Sequence, residues 1–279
     1  MRTIRTGIGS QQAAFLFFGF LAAVVGLSLL LKGVMVVVQS KFDGQHRFSF
    51  LVTDAQKSSV VLSFEGISKS ASVALLPNGA PIRPISRFLQ SPLHASVSVR
   101  SNQISSLIDA KELDSGTIAL FIGKLIISYR NLQTDMTILD LIRLWWIAQR
   151  VPKNMLTVTS ITPSLNEYEI DAISSSLFSD KIIEQENSTI EIVNATNVTG
   201  LGNRLARFIS NMGGTVVAVL TADSLQDKSQ IIYIEKKTYT VEKLAGLLRL
   251  EAVESRAQNN LLSDIRIIIG TGSSTSAPF

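Results

Sequence analysis

Few side chains in this sequence can do chemistry. Cysteine is absent from the 279 residues and histidine occurs twice, at His46 and His94. Thiol catalysis, disulfide scaffolds and Cys-ligated zinc are excluded, and two histidines leave little room for a His-rich metal site. No catalytic residue, no metal and no cofactor is expected. Gly200-Leu-Gly202 lies between an apolar run and a helical pattern, the context of a phosphate-binding turn. A dinucleotide fingerprint would put its third glycine where Leu205 stands, and an acid at the end of the next strand near Leu220; Asp223 lies in the following loop. The glycines are read instead as a tight strand-to-helix turn. Asn187-Ser-Thr189, Asn194-Ala-Thr196 and Asn197-Val-Thr199 match the glycosylation triplet and are read as turn and cap residues. Trp145-Trp146 could offer a sugar-stacking platform. Adjacent helical positions point about 100° apart, so Trp145 is assigned to the core and Trp146 to its edge. The sequence has no Ser/His/Asp constellation, no phosphate loop and no convincing carboxylate pair.

The composition bounds where such chemistry could operate. With 46% hydrophobic and 17% charged residues and a mean hydropathy of +0.29, the chain is too apolar to be disordered. Its net charge of +4 comes mostly from residues 1–38, which hold Arg2, Arg5 and Lys32 and no acid; the remainder has 23 bases and 22 acids. No basic stripe is left to neutralise phosphates, so nucleic acid is not an expected partner.

Ala13 to Leu31 reads AAFLFFGFLAAVVGLSLLL, with Ser28 its one polar residue. As a helix these residues span about 28 Å, close to the ~30 Å hydrocarbon core of a bilayer. Lys32 can snorkel to the headgroups, and the apolar stretch continues to Val38. A cleaved signal peptide has a shorter apolar region, so residues 13–38 are read as an uncleaved anchor in the lipid bilayer. Arg2 and Arg5 keep the tail 1–12 cytoplasmic, placing the C-terminal domains outside the cell membrane. Gly19/Ala23 and Ala22/Gly26 are each spaced four apart and share a helix face, where a homodimer seam or plain lipid can lie.

Residues 39–46 are read as a polar stalk. Beyond it, Arg47–Thr53, Ser58–Phe64, Ala71–Leu76, Ala95–Arg100 and Met155–Ile161 have strand character, and Thr134–Arg150 is an amphipathic helix capped by Thr134 or Asp135. These make an α/β domain over 46–163. Residues 164–188 are read as a linker with a short helix around Tyr168–Phe178. In 189–270 the pattern is strand, helix, strand, strand, helix, strand: Thr189–Asn194, Gly200–Asn211, Thr215–Leu220, Gln230–Ile234, Thr240–Leu250 and Asp264–Ile269. A disordered tail, 271–279, follows. The fold class is thus α/β: one N-terminal transmembrane helix, then two small α/β domains with mixed sheets.

Ile190-Glu-Ile-Val-Asn-Ala195, Gly200-Leu-Gly202, the Leu205–Ile209 helix, Met212-Gly213-Gly214 and Asp264-Ile-Arg-Ile-Ile-Ile-Gly270 arrive in the order seen in the C-terminal domain of LytR-type cell-envelope proteins, which this region resembles over about 80 residues. By arrangement, residues 46–161 are similar to a diverged LytR–CpsA–Psr domain, which in that family follows a single anchor. The resemblance implies an extracytoplasmic envelope protein. It further implies, for enzymes of the family, transfer of a glycan from a polyprenyl pyrophosphate carrier to the cell wall. That chemistry needs clustered guanidiniums and metal-holding carboxylates. Here the motif places read Lys57-Ser58-Ser59-Val60 and Leu75-Leu76-Pro77-Asn78-Gly79, of which only Pro77 fits; Arg143 and Arg150 stand on a hydrophobic helix. Arg83, Arg87 and Arg100 remain nearby and can bind an anionic glycolipid, or are solvated loop residues balanced by Asp109, Glu112 and Asp114. The expected role is therefore non-catalytic binding of cell-wall glycan or envelope proteins. A phosphotransferase and a scaffold assembled through its anchor are the alternatives.

Overall fold

A computed structural model describes residues 10–55, 58–76, 89, 91–100, 104, 107, 113–161, 165–255 and 263–273. Helix α1 (Ser10–Gln39) is 30 residues long, about 45 Å. Ala14–Gln39 has a mean hydropathy of 2.6 with none of its apolar window buried, long and apolar enough to cross a membrane. A Cβ added at Gly19 or Gly26 would meet nothing within 4 Å.

Past α1 the chain docks at once instead of forming a free stalk. Phe42 is buried, its ring 5.1 Å from that of Phe48. Asp140 gathers the segment: its Oδ1 accepts hydrogen bonds from Ser40 Oγ (2.6 Å), Lys41 N (3.0 Å) and Phe42 N (2.9 Å). One aromatic residue in an otherwise polar run, aimed at a waiting core, outweighs the hydrophilic composition around it.

The first unit is a six-stranded mixed sheet in the order β5-β4-β1-β2-β3-β6. Its strands are β1 (Phe48–Asp54), β2 (Ser59–Glu65), β3 (Ser70–Leu76), β4 (Ala95–Val99), β5 (Gln133–Thr134) and β6 (Leu156–Ser160). Helices α2 (Ser115–Ile127) and α3 (Ile138–Ala148) cover one face, packing on Val60, Leu62 and Phe64. Against the other face, Leu177 and Phe178 of α4 (Glu167–Phe178) pack on Val61, Ala74 and Leu76. Every residue of β2 is buried, as the middle of a three-layer unit requires.

Two local readings change. α3 starts at Thr137, not at Thr134 or Asp135: Thr137 Oγ1 accepts from Asp140 N (3.3 Å) and Asp140 Oδ2 accepts from Thr137 N (2.7 Å). This reciprocal box satisfies two end groups at once, more than either upstream residue could. Thr134 and Asp135 serve β4 instead, through Ser96 O and Ser96 N, both at 2.8 Å. The sequence also gave no signal for α2, which is apolar nearly all round, carries Gly116 and Gly123, and is capped by Asp114 accepting from Thr117 N at 2.7 Å.

The second unit is a five-stranded mixed sheet in the order β10-β9-β11-β7-β8. It comprises β7 (Thr189–Asn194), β8 (Thr215–Thr221), β9 (Gln230–Tyr233), β10 (Glu251–Glu254) and β11 (Ile265–Ile269). Ile190, Ile192, Ile265 and Ile267 point to a single layer made by α6 (Leu201–Asn211) and α7 (Tyr239–Leu248). Glu191 and Arg266, paired at 2.9 Å, point the other way. Gly200 caps α6 with φ +77°, which only glycine adopts at low cost, and a Cβ on Gly202 would lie 2.9 Å from Val219. The glycine pair is thus the tight turn expected of it. Asn194 Oδ1 accepts from Thr196 N (3.1 Å) and Asn187 ends α5 (Lys181–Glu186) in the left-handed region, so both are turn and cap residues.

The connection between the units is helical and bonded on both sides. Glu65 Oε1 accepts from Lys181 N (3.2 Å), and Glu186 accepts from Tyr239 N (2.9 Å) and Thr240 N (2.8 Å). Asp171 holds Arg207 Nε at 2.7 Å and Asn211 Nδ2 at 3.2 Å. From residue 274 onward the expected tail lies outside the described residues, after a 3-10 turn at Thr271–Ser273.

Candidate functional site

Of the three arginines singled out from the sequence, Arg83 and Arg87 lie outside the described residues. Arg100 is exposed just past β4. Gly19, Ala22, Ala23 and Gly26 are all on the free surface of α1. Trp145 packs against the first core, whereas Trp146 is half exposed with the Arg150 guanidinium 4.1 Å over its ring.

The polar groups that the fold does gather lie in the seam between the two units, and both histidines are among them. Asp43 Oδ1 accepts from Gln45 N (2.8 Å) and His46 N (3.0 Å), and its Oδ2 bonds the His46 ring, so the turn presents that ring outward. Burial raises the Asp43 carboxyl, but the bond from His46 and those backbone N–H groups outweigh it, and the group sits below its usual range. The His46 ring stacks on Tyr239 of α7, centroids 4.4 Å apart. Tyr239 donates its hydroxyl to Asp180 at 2.8 Å. Burial, and then the Asp180 charge, push the phenol above its ordinary value, so it stays a donor.

One turn along α7, Lys243 reaches across the seam and donates to the carbonyl of Arg47 at 3.2 Å. Burial lowers its pKa against the opposing pull of Asp180 and Asp43. His94, just before β4, accepts from Ser49 N through Nδ1 (3.1 Å), which leaves the proton on Nε2. That Nε2 is buried and has no partner. Burial, reinforced by the charge of Lys243, pushes His94 down to about 3. Arg47 fills the base of the seam, donating to Leu177 O (2.7 Å), Ser63 Oγ (3.2 Å) and Glu65 Oε2 (3.2 Å), while its Nε is also buried without a partner.

Two cavities meet here. An open groove of about 420 Å³ is lined by Lys41, His94, Lys243 and Arg249 among others, and a smaller chamber of about 10 Å³ adjoins it among Arg47, His94, Asp180 and Lys243. His94 and Lys243 line both. The arrangement is rich in donors and poor in free acceptors, which suits binding of an anion over bond-making chemistry. Among the described residues, no three His, Asp or Glu side chains gather as a metal site would require.

Half of this seam belongs to a domain that can be identified. Residues 187–272 match the family model described as "LytR cell envelope-related transcriptional attenuator". The second unit is a LytR C-terminal domain. Its strand β7, the glycine turn, α6 and the closing β11 are the elements whose residues carry the resemblance. No curated protein matches the chain. Similar solved structures are a Bacillus subtilis transcriptional regulator, yvhJ (16% identity, 48% of this chain and 96% of that one, TM-score 0.36), and B. subtilis TagV (13%, 49% and 97%, 0.33). An Enterococcus faecalis transcriptional regulator follows at 14% identity, 50% and 88% coverage and TM-score 0.32. Likenesses at that level carry no argument about this chain's activity.

Lys243, Tyr239 and His94 had no signature in the sequence. The two histidines invite a test as metal ligands, which they fail by number. Lys243 lies beside the apolar stripe of Val241, Leu244 and Leu248, where a lysine reads as a solvated flank. What buries it is the other unit, and docking of one unit on another has no periodicity to betray it.

Proposed function

We propose that the chain is a single-pass membrane protein of the bacterial cell envelope, anchored by α1. The folded units stand outside the cytoplasm and act without catalysis, binding cell-wall polymer or envelope proteins. The observation that carries this reading is the joining, in one chain, of a LytR C-terminal domain to a fully exposed helix of membrane-spanning length. The basic tail with Arg2 and Arg5 favours the orientation, and the missing charges at Asn78 and Gly79 favour binding over glycan transfer. Within the anchor, the face of Gly19, Ala22, Ala23 and Gly26 is where two copies would pair.

The test uses the absence of native cysteine. Leu225 is well exposed in the LytR C-terminal domain, so Leu225→Cys supplies a single thiol on an otherwise thiol-free chain. Intact cells treated with a membrane-impermeant maleimide should label this variant fully. Labelling only after lysis overturns the placement. Purified full-length protein in detergent should then retain wall glycan above a control membrane protein; equal retention removes the polymer and leaves a protein partner, captured by cross-linking in the same cells.

A further inference from the structure

The seam contains donors that nothing in the chain satisfies. His94 Nε2–H and Arg47 Nε–H are buried without acceptors, and the Lys243 ammonium, with three hydrogens to give, meets one carbonyl. An orphaned buried donor costs about 1–3 kcal/mol, more when charged, so two in one place, beside an ammonium bonded to a single carbonyl, call for an acceptor that is absent from the polypeptide. The inner chamber of about 10 Å³ has room for a single water. The outer groove, about 420 Å³, falls within the range of a ligand site.

The surroundings select the ligand's charge. Lys41 and Arg249 stand on the groove rim with Lys243 and His94 behind them. Glu242, the acid on the rim, lies 3.6 Å from Lys237, and Asp135 neutralises part of Lys41 at 2.5 Å. Arg249 has no acidic partner among the described residues. Its position follows from strain: Arg249 ends α7 at φ +55°, a conformation rare outside glycine. The donors approach from three separate elements, the segment after α1, the loop before β4 and α7. Such a spread suits a tetrahedral anion better than a planar one.

We propose that the groove between the two units is a binding site for a phosphate group, held by Lys243 and His94 at its base and by Arg249 and Lys41 at its rim. Lys41 is three residues beyond Val38, the last apolar residue of the anchor, so the site opens close to the membrane surface. The phosphate can therefore belong to a lipid headgroup or to a soluble ligand. The site gives the binding reading above a ligand class, yet it stands whichever side of the membrane the folded units occupy.

Full-length protein is reconstituted in nanodiscs of two compositions, and binding is read by calorimetry and by amide exchange across Tyr239–Leu248. In phosphatidylcholine discs, inorganic phosphate or pyrophosphate is titrated; in phosphatidylglycerol discs no soluble phosphate is added. Saturable binding in the first arm assigns a soluble phosphate, and protection of α7 in the second assigns a headgroup. In either arm Lys243→Met should weaken the effect at least tenfold and Arg249→Ser about threefold, with the exposed Arg204→Ser unchanged. Should Lys243→Met fold poorly, the double variant Arg249→Ser/Lys41→Ser carries the same comparison, because both side chains are on the surface. Absence of binding in both arms, or binding indifferent to these substitutions, overturns the proposal and leaves the donors to a buried water.

Discussion

The two sheets of this protein meet solvent differently. In the first unit β2 is buried at all seven positions, with helices on both faces. In the LytR C-terminal domain one helical layer covers one face, and the edge strand β8 is largely exposed. The first unit is a closed three-layer body that takes the end of the anchor into its core through Phe42. The second is an open two-layer body that gives its helical side to the seam. The difference predicts a large asymmetry. Phe64→Ala, in the closed sheet, should cost about 3–5 kcal/mol, whereas Val193→Ser, on the outer face beside Leu220 and Ile268, should cost less than about 1 kcal/mol. Urea unfolding of the full-length chain measures both. A Val193 variant as damaging as the Phe64 variant would mean that the outer face is covered after all.

A second test bears on the polar clamp that the closed unit can afford. Arg47 and Glu65 pair at 3.2 Å with side chains 8% and 2% exposed, and between them they hold Leu177 O and Lys181 N of the connecting helices. Removing one member leaves an uncompensated buried charge, so Glu65→Ala should destabilise by about 3 kcal/mol or more. Arg47→Met with Glu65→Leu should recover most of that loss. Failure of the double variant to recover would show that the bonds to Leu177 and Lys181, and not the charge pair, carry the stability.

The same contrast explains what the sequence revealed. The open sheet has helices on one face only, so Ile190 and Ile192 alternate with Glu191, and Ile265 and Ile267 with Arg266, and these two strands match expectation nearly residue for residue. The short β10 escaped because four residues of Glu-Ala-Val-Glu carry no turn signal after a left-handed Arg249. In the closed unit the strands were legible as apolar runs, but α2 was not, since a helix without a polar face has no period to detect. The site was illegible for another reason. His94 and Lys243 are 149 positions apart and acquire their properties only from being buried together. Periodicity reports each element's own face, not which foreign surface will cover it.

An intermediate effect is expected where α3 receives the end of α1. Asp140 is fully buried and serves both the Thr137 box and the Ser40–Phe42 segment. Burial pushes its pKa up, but the bonds from Ser40, Phe42 N and Thr137 outweigh that and hold it below the usual carboxylate range. A depressed carboxyl stabilises above its ordinary pKa and loses that contribution as pH falls through the folded value. Asp140→Ala should therefore cost about 2 kcal/mol at pH 7 and progressively less below about pH 4. In amide exchange the loss should appear first in residues 40–42 and the start of α3. A loss confined to α3 would show that the exit of the anchor does not depend on this carboxylate.

A pH-dependent effect concerns the seam itself, and its sign follows from His94. In the closed seam the ring has a pKa of about 3, and once exposed to water it returns to 6.5. The open or unfolded state thus takes up a proton that the closed state refuses. The stability that comes from a neutral buried ring is complete above pH 6.5 and is lost as pH falls toward 3. By pH 5 the loss should reach about 2 kcal/mol. Asp43 stays charged across that window because its own pKa is depressed. Lys243, and after it Lys41, face the ring and oppose a positive charge on it. Amide exchange in β1 and α7, corrected for intrinsic rates, should accelerate between pH 7.5 and 5.0 in the wild type and hardly at all in His94→Gln. Bound phosphate should blunt the acceleration, since an anion against Nε2 raises the ring's closed-state pKa toward its open one. A wild type indifferent to pH would mean that the ring is already hydrated, and the closed unit would then be no more sealed along the seam than the open sheet is along its outer face.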